Sequence, residues 1–165
     1  MGVTDELLRN NEAHAAAFDK RGLPRRPGKK LVVVACMDAR LNPYAVLGLR
    51  EGDAHILRNA GGVVTDDVIR SLAISQRLLG TEEIILIHHT GCGMLTFTDD
   101  AFRRSLRDDV GVVPDWKAGA FADLDEDVRR SIARITASPF VPHTDRVRGF
   151  VYDVATGRLR EVAAG

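Results

Sequence analysis

Apolar residues fall into three short runs, each separated from the next by a stretch of mixed polarity. Leu31 to Ala35 (LVVVA), Ala54 to Leu57 and Ile84 to His88 (IILIH) read as strands. The first and third are apolar on both faces, the pattern of a parallel sheet covered by helices. Between the first two, Asn42 and Pro43 offer the cap and first residue of a short helix through Leu47. Between the second and third, Asp66 or Asp67 opens a helix with Val68, Ile69, Leu72 and Leu79 at helical spacing, stopped by Gly80. This alternation predicts a parallel α/β sheet. Two mostly polar helical stretches follow, around Asp99 to Asp109 and Asp123 to Ala137. The end, Val147 to Val162, reads as a hairpin with arms Gly149 to Val154 and Arg158 to Val162, turned at Ala155, Thr156 and Gly157.

Ahead of the first strand, Thr4 and Asp5 can cap a helix running to about Lys20, with Leu7, Leu8, His14 or Ala15, and Phe18 near one face. That stripe is thin, which places the helix on a surface and suggests a neighbouring subunit beneath it. Pro24, Pro27 and Gly28 then break the chain. The expected architecture is a single α/β domain with a central, mostly parallel β-sheet flanked by helices and a C-terminal hairpin or edge strand. Residues 1–28 form a helical arm and linker, and 29–165 the α/β core.

A chain of 165 residues fits one domain. Its 23 basic and 23 acidic side chains cancel, so net charge steers it neither to nucleic acid nor to an anionic membrane. The basic run Arg21 to Lys30 reads as a solvated linker. The polar start Met1 to Asn11 lacks the pattern of a signal peptide, and no apolar run approaches the roughly 20 residues of a membrane span. The expected compartment is the cytoplasm, where the chain's two cysteines stay reduced and serve as ligands or catalysts rather than as a bridge.

Ligands of open parallel sheets bind just past the carboxyl ends of the strands. The first strand runs into Cys36-Met37-Asp38-Ala39-Arg40, and the third into His88-His89-Thr90-Gly91-Cys92-Gly93. If these strands are neighbours, Cys36, His89 and Cys92 converge. Two sulfurs and one imidazole suit zinc, and three protein ligands leave a fourth position for chemistry. Arg40 offers a planar fork that can hold the Asp38 carboxylate. Gly61 and Gly62, between the second strand and a helix, form either a plain turn or a close backbone approach with N–H groups facing a substrate carboxylate or product anion. His88 points away from His89 if strand alternation persists, which makes it structural.

The C-x-D-x-R of Cys36, Asp38 and Arg40, the H-x-x-C of His89 and Cys92, and the intervening Arg58-Asn59-Ala60-Gly61-Gly62 resemble the β-class carbonic anhydrases. The resemblance implies one zinc ion per chain on Cys36, His89 and Cys92, a catalytic pair Asp38 and Arg40, and reversible hydration of carbon dioxide to bicarbonate by zinc-bound hydroxide. It implies a homodimer as the basic unit, with a tetramer left open, and a cleft formed partly by the partner. Some members of that family let the Asp close onto the metal at lower pH, and bind a regulatory bicarbonate near a Trp three positions before the first cysteine ligand. Val33 stands there in this chain, whose one Trp is Trp116, so an open three-ligand site without that regulation is expected.

Three rival readings remain beside it. A carbon disulfide or carbonyl sulfide hydrolase uses the same zinc set on the same scaffold. A non-catalytic zinc- or bicarbonate-binding protein would need a fourth ligand, for which Asp38 is the candidate. A cysteine phosphatase is disfavoured by the short Cys36–Arg40 spacing and by Asp38, whose charge would repel a phosphate dianion. Zinc on three neutral histidines lowers the pKa of its water to about 7, but two thiolates cancel the ion's formal charge and leave less to stabilise hydroxide. Hydration should therefore rise on the alkaline side of neutrality. A pH–rate profile already at its plateau by about pH 6 would contradict this.

Overall fold

The computed structural model describes residues 2–164; Met1 and Gly165, the outer bounds expected for the domain, lie outside the described residues. The elements run α1 (Val3–Ala16), β1 (Leu31–Cys36), α2 (Pro43–Leu47), β2 (Ala54–Asn59), α3 (Asp66–Leu79), β3 (Glu83–His89), α4 (Asp99–Val110), α5 (Leu124–Thr136), β4 (Val147–Tyr152) and β5 (Leu159–Val162). The sheet order is β2-β1-β3-β4-β5. The pairings among β2, β1, β3 and β4 are parallel, and β5 closes the edge antiparallel to β4.

Strand alternation sorts the core into two layers. Val32, Val34, Ile84 and Leu86 point to one face and pack with Val68 and Leu72 of α3 and Val128, Ile132 and Ile135 of α5. Val33, Ala35 and Ile87 point to the other, where Leu41, Met94 and Phe121 cover them, joined by half-buried Val46 and Leu47 of α2. The second face is the thinner one, because it carries a single-turn helix and loops rather than two long helices. Capping follows chemistry local to each helix. The Asn42 side chain accepts from the amides of Tyr44 and Ala45 at the start of α2, Thr65 from Val68 at α3, and Asp123 from Glu126 at α5.

Several boundaries differ from the sequence expectation. Helix α1 begins at Val3, where Asp5 accepts from the Gly2 amide at 2.9 Å, and it ends at Ala16 instead of continuing to Lys20. Amides of Ala17 and Phe18 bond three residues back, to His14 and Ala15, and tighten the helix shut. No residue of α1 is buried, so nothing in its own chain draws the helix further. Strand β2 extends to Asn59, whose carbonyl takes the Met37 amide at 2.8 Å. In the hairpin, β4 starts at Val147 because it pairs with Ile84 of β3. It ends at Tyr152 because the Asp153 carboxylate collects the amides of Ala155 and Thr156 and starts the turn.

Helix α5 lies on β4 at Gly149, where a Cβ would stand 2.2 Å from Val128 Cγ1 and 3.1 Å from Ile132 Cδ1. Gly149→Ala should therefore lower stability by about 1–3 kcal/mol through overpacking, read as a lower urea midpoint at unchanged slope.

Candidate metal centre

Parallel pairing sets Ala35 opposite Ile87, so β1 and β3 end side by side. Cys36 is the last residue of β1 and His89 the last of β3. A turn through Gly91, whose φ is +63°, brings Cys92 back to the same place. The ligand-capable atoms of Cys36, His89 and Cys92 all lie within 4.8 Å of one another, and all three residues are buried. The two sulfurs are 3.9 Å apart. His89 Nδ1 lies 2.9 Å from the Thr90 carbonyl oxygen, which fixes that nitrogen as the protonated donor and leaves Nε2 with its lone pair. That Nε2 is buried and has no hydrogen-bond partner among the described residues. An orphaned imidazole acceptor facing two thiols is a poor end state for a core but a fitting one for a metal ligand. The donor set, two soft sulfurs and one nitrogen, fits zinc.

The charges favour a cation as well. The Cys36 thiol is pulled down, first by the hydrogen bond from Cys92 and then by the amides of Asp38 and Gly61, against the cost of burial. Cys92 is pushed up because its neighbour Cys36 already holds the negative charge and because it is buried. His89 is raised by its contact with Cys36. One thiolate forms readily and the second is resisted until positive charge arrives, which is what a divalent ion would supply.

Asp38 and Arg40 meet as the sequence suggested. Arg40 Nε donates to Asp38 Oδ1 at 2.9 Å and Nη2 to Oδ2 at 2.7 Å, while the Arg40 amide adds a third bond to Oδ1 at 2.9 Å. These donors hold the Asp38 carboxyl well below the usual carboxylate range. A group lowered in this way stays ionised at and above the ordinary carboxylate range, and its ion pair is lost only as acid drives the pH down through the lowered value. Asp38 Oδ2 stands 3.6 Å from His89 Nε2, beside the ligand cluster and not part of it. Arg40 Nη2 also donates to the Gly91 carbonyl at 3.1 Å, tying the loop after β1 to the loop after β3.

Gly61 and Gly62 sit in a 3₁₀ turn, both buried, with φ of +79° and +68°. A Cβ on Gly62 would lie 2.8 Å from the Cys36 amide nitrogen and 3.0 Å from the Ala35 carbonyl carbon. The close approach is thus to the strand that carries the ligand, and the Gly61 amide is directed at the Cys36 sulfur. His88 faces the opposite layer, where its Nε2 lies 2.8 Å from Asp127 Oδ2, and Arg130 holds the other oxygen of that carboxylate. Val33 is wholly buried in the sheet, and Trp116 lies half exposed beside Phe102.

Two contributors escape a reading of the sequence by side-chain chemistry. Arg58, noticed only within a motif, donates to the carbonyls of Cys36 and Asp38. Asp127 pairs with a histidine 39 positions away. Arg58 binds backbone oxygens, which every residue has, and the Asp127 contact depends on α5 crossing β3, so local sequence carries a signal for neither.

The family model described as carbonic anhydrase matches residues 31–119. Beta-carbonic anhydrase 1 of Mycobacterium tuberculosis is 60% identical over 162 residues, covering 98% of this chain and 99% of that protein. A carbon disulfide hydrolase of Acidithiobacillus thiooxidans is 35% identical over 180 residues, covering 97% and 90%. The crystal structure of carbonic anhydrase from Streptococcus mutans superposes with a TM-score of 0.92 at 46% identity, covering 99% of each chain.

The thiol asymmetry gives a direct test. In chelator-treated protein, one thiol of the pair should alkylate readily near neutral pH, whereas the second should react only as the medium becomes alkaline. Zinc should protect both, as mapped by peptide mass spectrometry. A single step shared by both thiols would contradict the coupling described.

Proposed function

The chain belongs to the β-class carbonic anhydrases, and from that premise we propose which of its residues carry the reaction. It is a zinc lyase that interconverts carbon dioxide and bicarbonate. Our reading gives each chain one zinc ion on Cys36 Sγ, His89 Nε2 and Cys92 Sγ, with Asp38 and Arg40 as the catalytic pair. When bound, the metal supplies a Lewis acid that makes water nucleophilic near neutral pH.

The observation that carries this assignment is the Asp38 carboxylate, gripped on both oxygens by Arg40 and set 3.6 Å from His89 Nε2. An ionised carboxylate accepts hydrogen bonds and donates none. Asp38 Oδ2 therefore takes the hydrogen bond of the attacking water and turns that water's lone pair toward the carbon of carbon dioxide. Arg40 holds the carboxylate ionised, aimed and away from the sulfurs. Bicarbonate then leaves, and the proton passes to buffer. We assign Gly61 and Gly62 to the floor of the substrate cleft. The support is their burial beside Cys36, where Gly62 lies against the backbone of Ala35 and Cys36 and Gly61 packs under Met94, Phe121 and Val63.

We further propose a homodimer as the basic unit, with any tetramer built from it. Val3, Leu7 and Leu8 of α1 are exposed and meet no core of their own chain, so a second copy is the partner that would cover them. Residues 1–28 would then be the arm, and 29–165 the core, of one functional domain. No helix among the described residues is long and apolar enough to cross a membrane. The free thiols of Cys36 and Cys92 suit the reducing cytoplasm, the compartment we propose.

Asp38→Asn keeps the shape and removes the acceptor-only charge. Zinc should remain at about one per chain while kcat/KM for hydration falls about 100-fold or more. Full activity in this variant, or activity lost only together with the metal, would remove Asp38 from the mechanism. Wild-type protein that hydrolyses carbon disulfide faster than it hydrates carbon dioxide would favour the rival substrate.

A further inference from the structure

We propose that Arg58 is a positioning residue for the hydration reaction, fixing the spatial relation between the metal ligand Cys36 and the catalytic carboxylate Asp38. The inference rests on the roles assigned to those two residues above. Arg58 Nε donates to the Cys36 carbonyl at 3.0 Å, and Nη2 donates to the same oxygen at 2.8 Å and to the Asp38 carbonyl at 2.7 Å. One nitrogen therefore bridges the carbonyls on either side of Met37. Pairing of β1 with β3 ends at Ala35 opposite Ile87, and the last main-chain bond from β2 reaches the Met37 amide. Beyond that point no strand ladder holds the chain, and the guanidinium takes over.

The arrangement has little to do with core packing. Arg58 is the exposed residue of β2 and belongs to neither hydrophobic layer. Met37, the residue it straddles, is 64% exposed. The side-chain hydrogen bonds of Arg58 go to the carbonyls of Cys36 and Asp38. The division of labour between the two arginines follows. Arg40 holds the carboxylate group of Asp38 and ties it to the loop after β3; Arg58 holds the backbone from which that carboxylate projects. A rigid planar fork can bridge two carbonyls at a set angle, which a lysine ammonium on a flexible stem cannot. Misplacement of a reacting group by about 1 Å is enough to cost on the order of 100-fold in rate.

The test compares Arg58→Met and Arg58→Lys with wild-type protein. Both variants should fold and keep about one zinc per chain, because the ligands are untouched. For Arg58→Met, kcat/KM for carbon dioxide hydration should fall about 10- to 100-fold. Added buffer should not restore it, since buffer assists proton export and not the attack on carbon. Arg58→Lys should recover only part of the loss. In the chelator-treated state, Cys36 of Arg58→Met should be alkylated several-fold faster than in wild type while Cys92 is unchanged, a readout independent of the reaction. The proposal is overturned if both variants match wild type in kcat/KM and in Cys36 alkylation. It is also overturned if their activity falls only in proportion to lost zinc or lost fold, or if buffer restores it. Wild-type protein that binds zinc yet hydrates no carbon dioxide would instead refute the catalytic roles on which the inference rests, and the alkylation contrast would still report on the loop.

Discussion

Everything at the site depends on the parallel pairing of β1 with β3. Registering Ala35 against Ile87 brings two carboxyl ends together, and each end delivers a thiol or imidazole to the cluster within a few residues. The pairing is itself secured from both faces, by α3 and α5 on one side and by Leu41, Met94 and Phe121 on the other. A shift of one residue along either strand would turn His89 into the layer now occupied by His88 and leave the sulfurs without an imidazole. The hydrophobic core thus determines the chemistry indirectly, by choosing which of two adjacent histidines faces the thiols.

Charge is organised around that point in a second tier. Two thiols and one carboxylate converge in a small space, where unscreened they would repel one another. Cys36 is relieved by the hydrogen bond from Cys92 and by two backbone amides, and Asp38 by the fork and amide of Arg40. Each anion has its own donors, so the two can stand close without competing for one cation. This separation is what distinguishes a carboxylate available to aim a water from one that would simply become another ligand.

Much of this was legible in the chain itself. The cysteines and His89 stood at the ends of recognisable apolar runs, and Asp38 and Arg40 were close enough in sequence for their pairing to be read directly. Asn42-Pro43 and Gly80 mark helix ends through chemistry that belongs to the residue type. What stayed hidden is whatever depends on a partner far away or on the backbone alone. The Arg58 contacts are to carbonyls, the His88–Asp127 pair needs α5 laid across β3, and the Asp153 turn competes with a strand whose apolar pattern runs on into Val154. Helix α1 differs from its sequence pattern for the converse reason: the apolar positions continue to Phe18, but no surface of its own chain rewards the extra turn.

The bare backbone at Gly62 has a bearing on how this protein could be altered. Strand and turn touch there with no room for even one methyl group, so the wall behind Cys36 is closed to redesign, and variation at that point would be paid for in folding before it could alter selectivity. Met37, which follows Cys36 on the solvent side and is exposed, is under no such constraint. A library aimed at new small-molecule specificity would find its freedom on that outer rim.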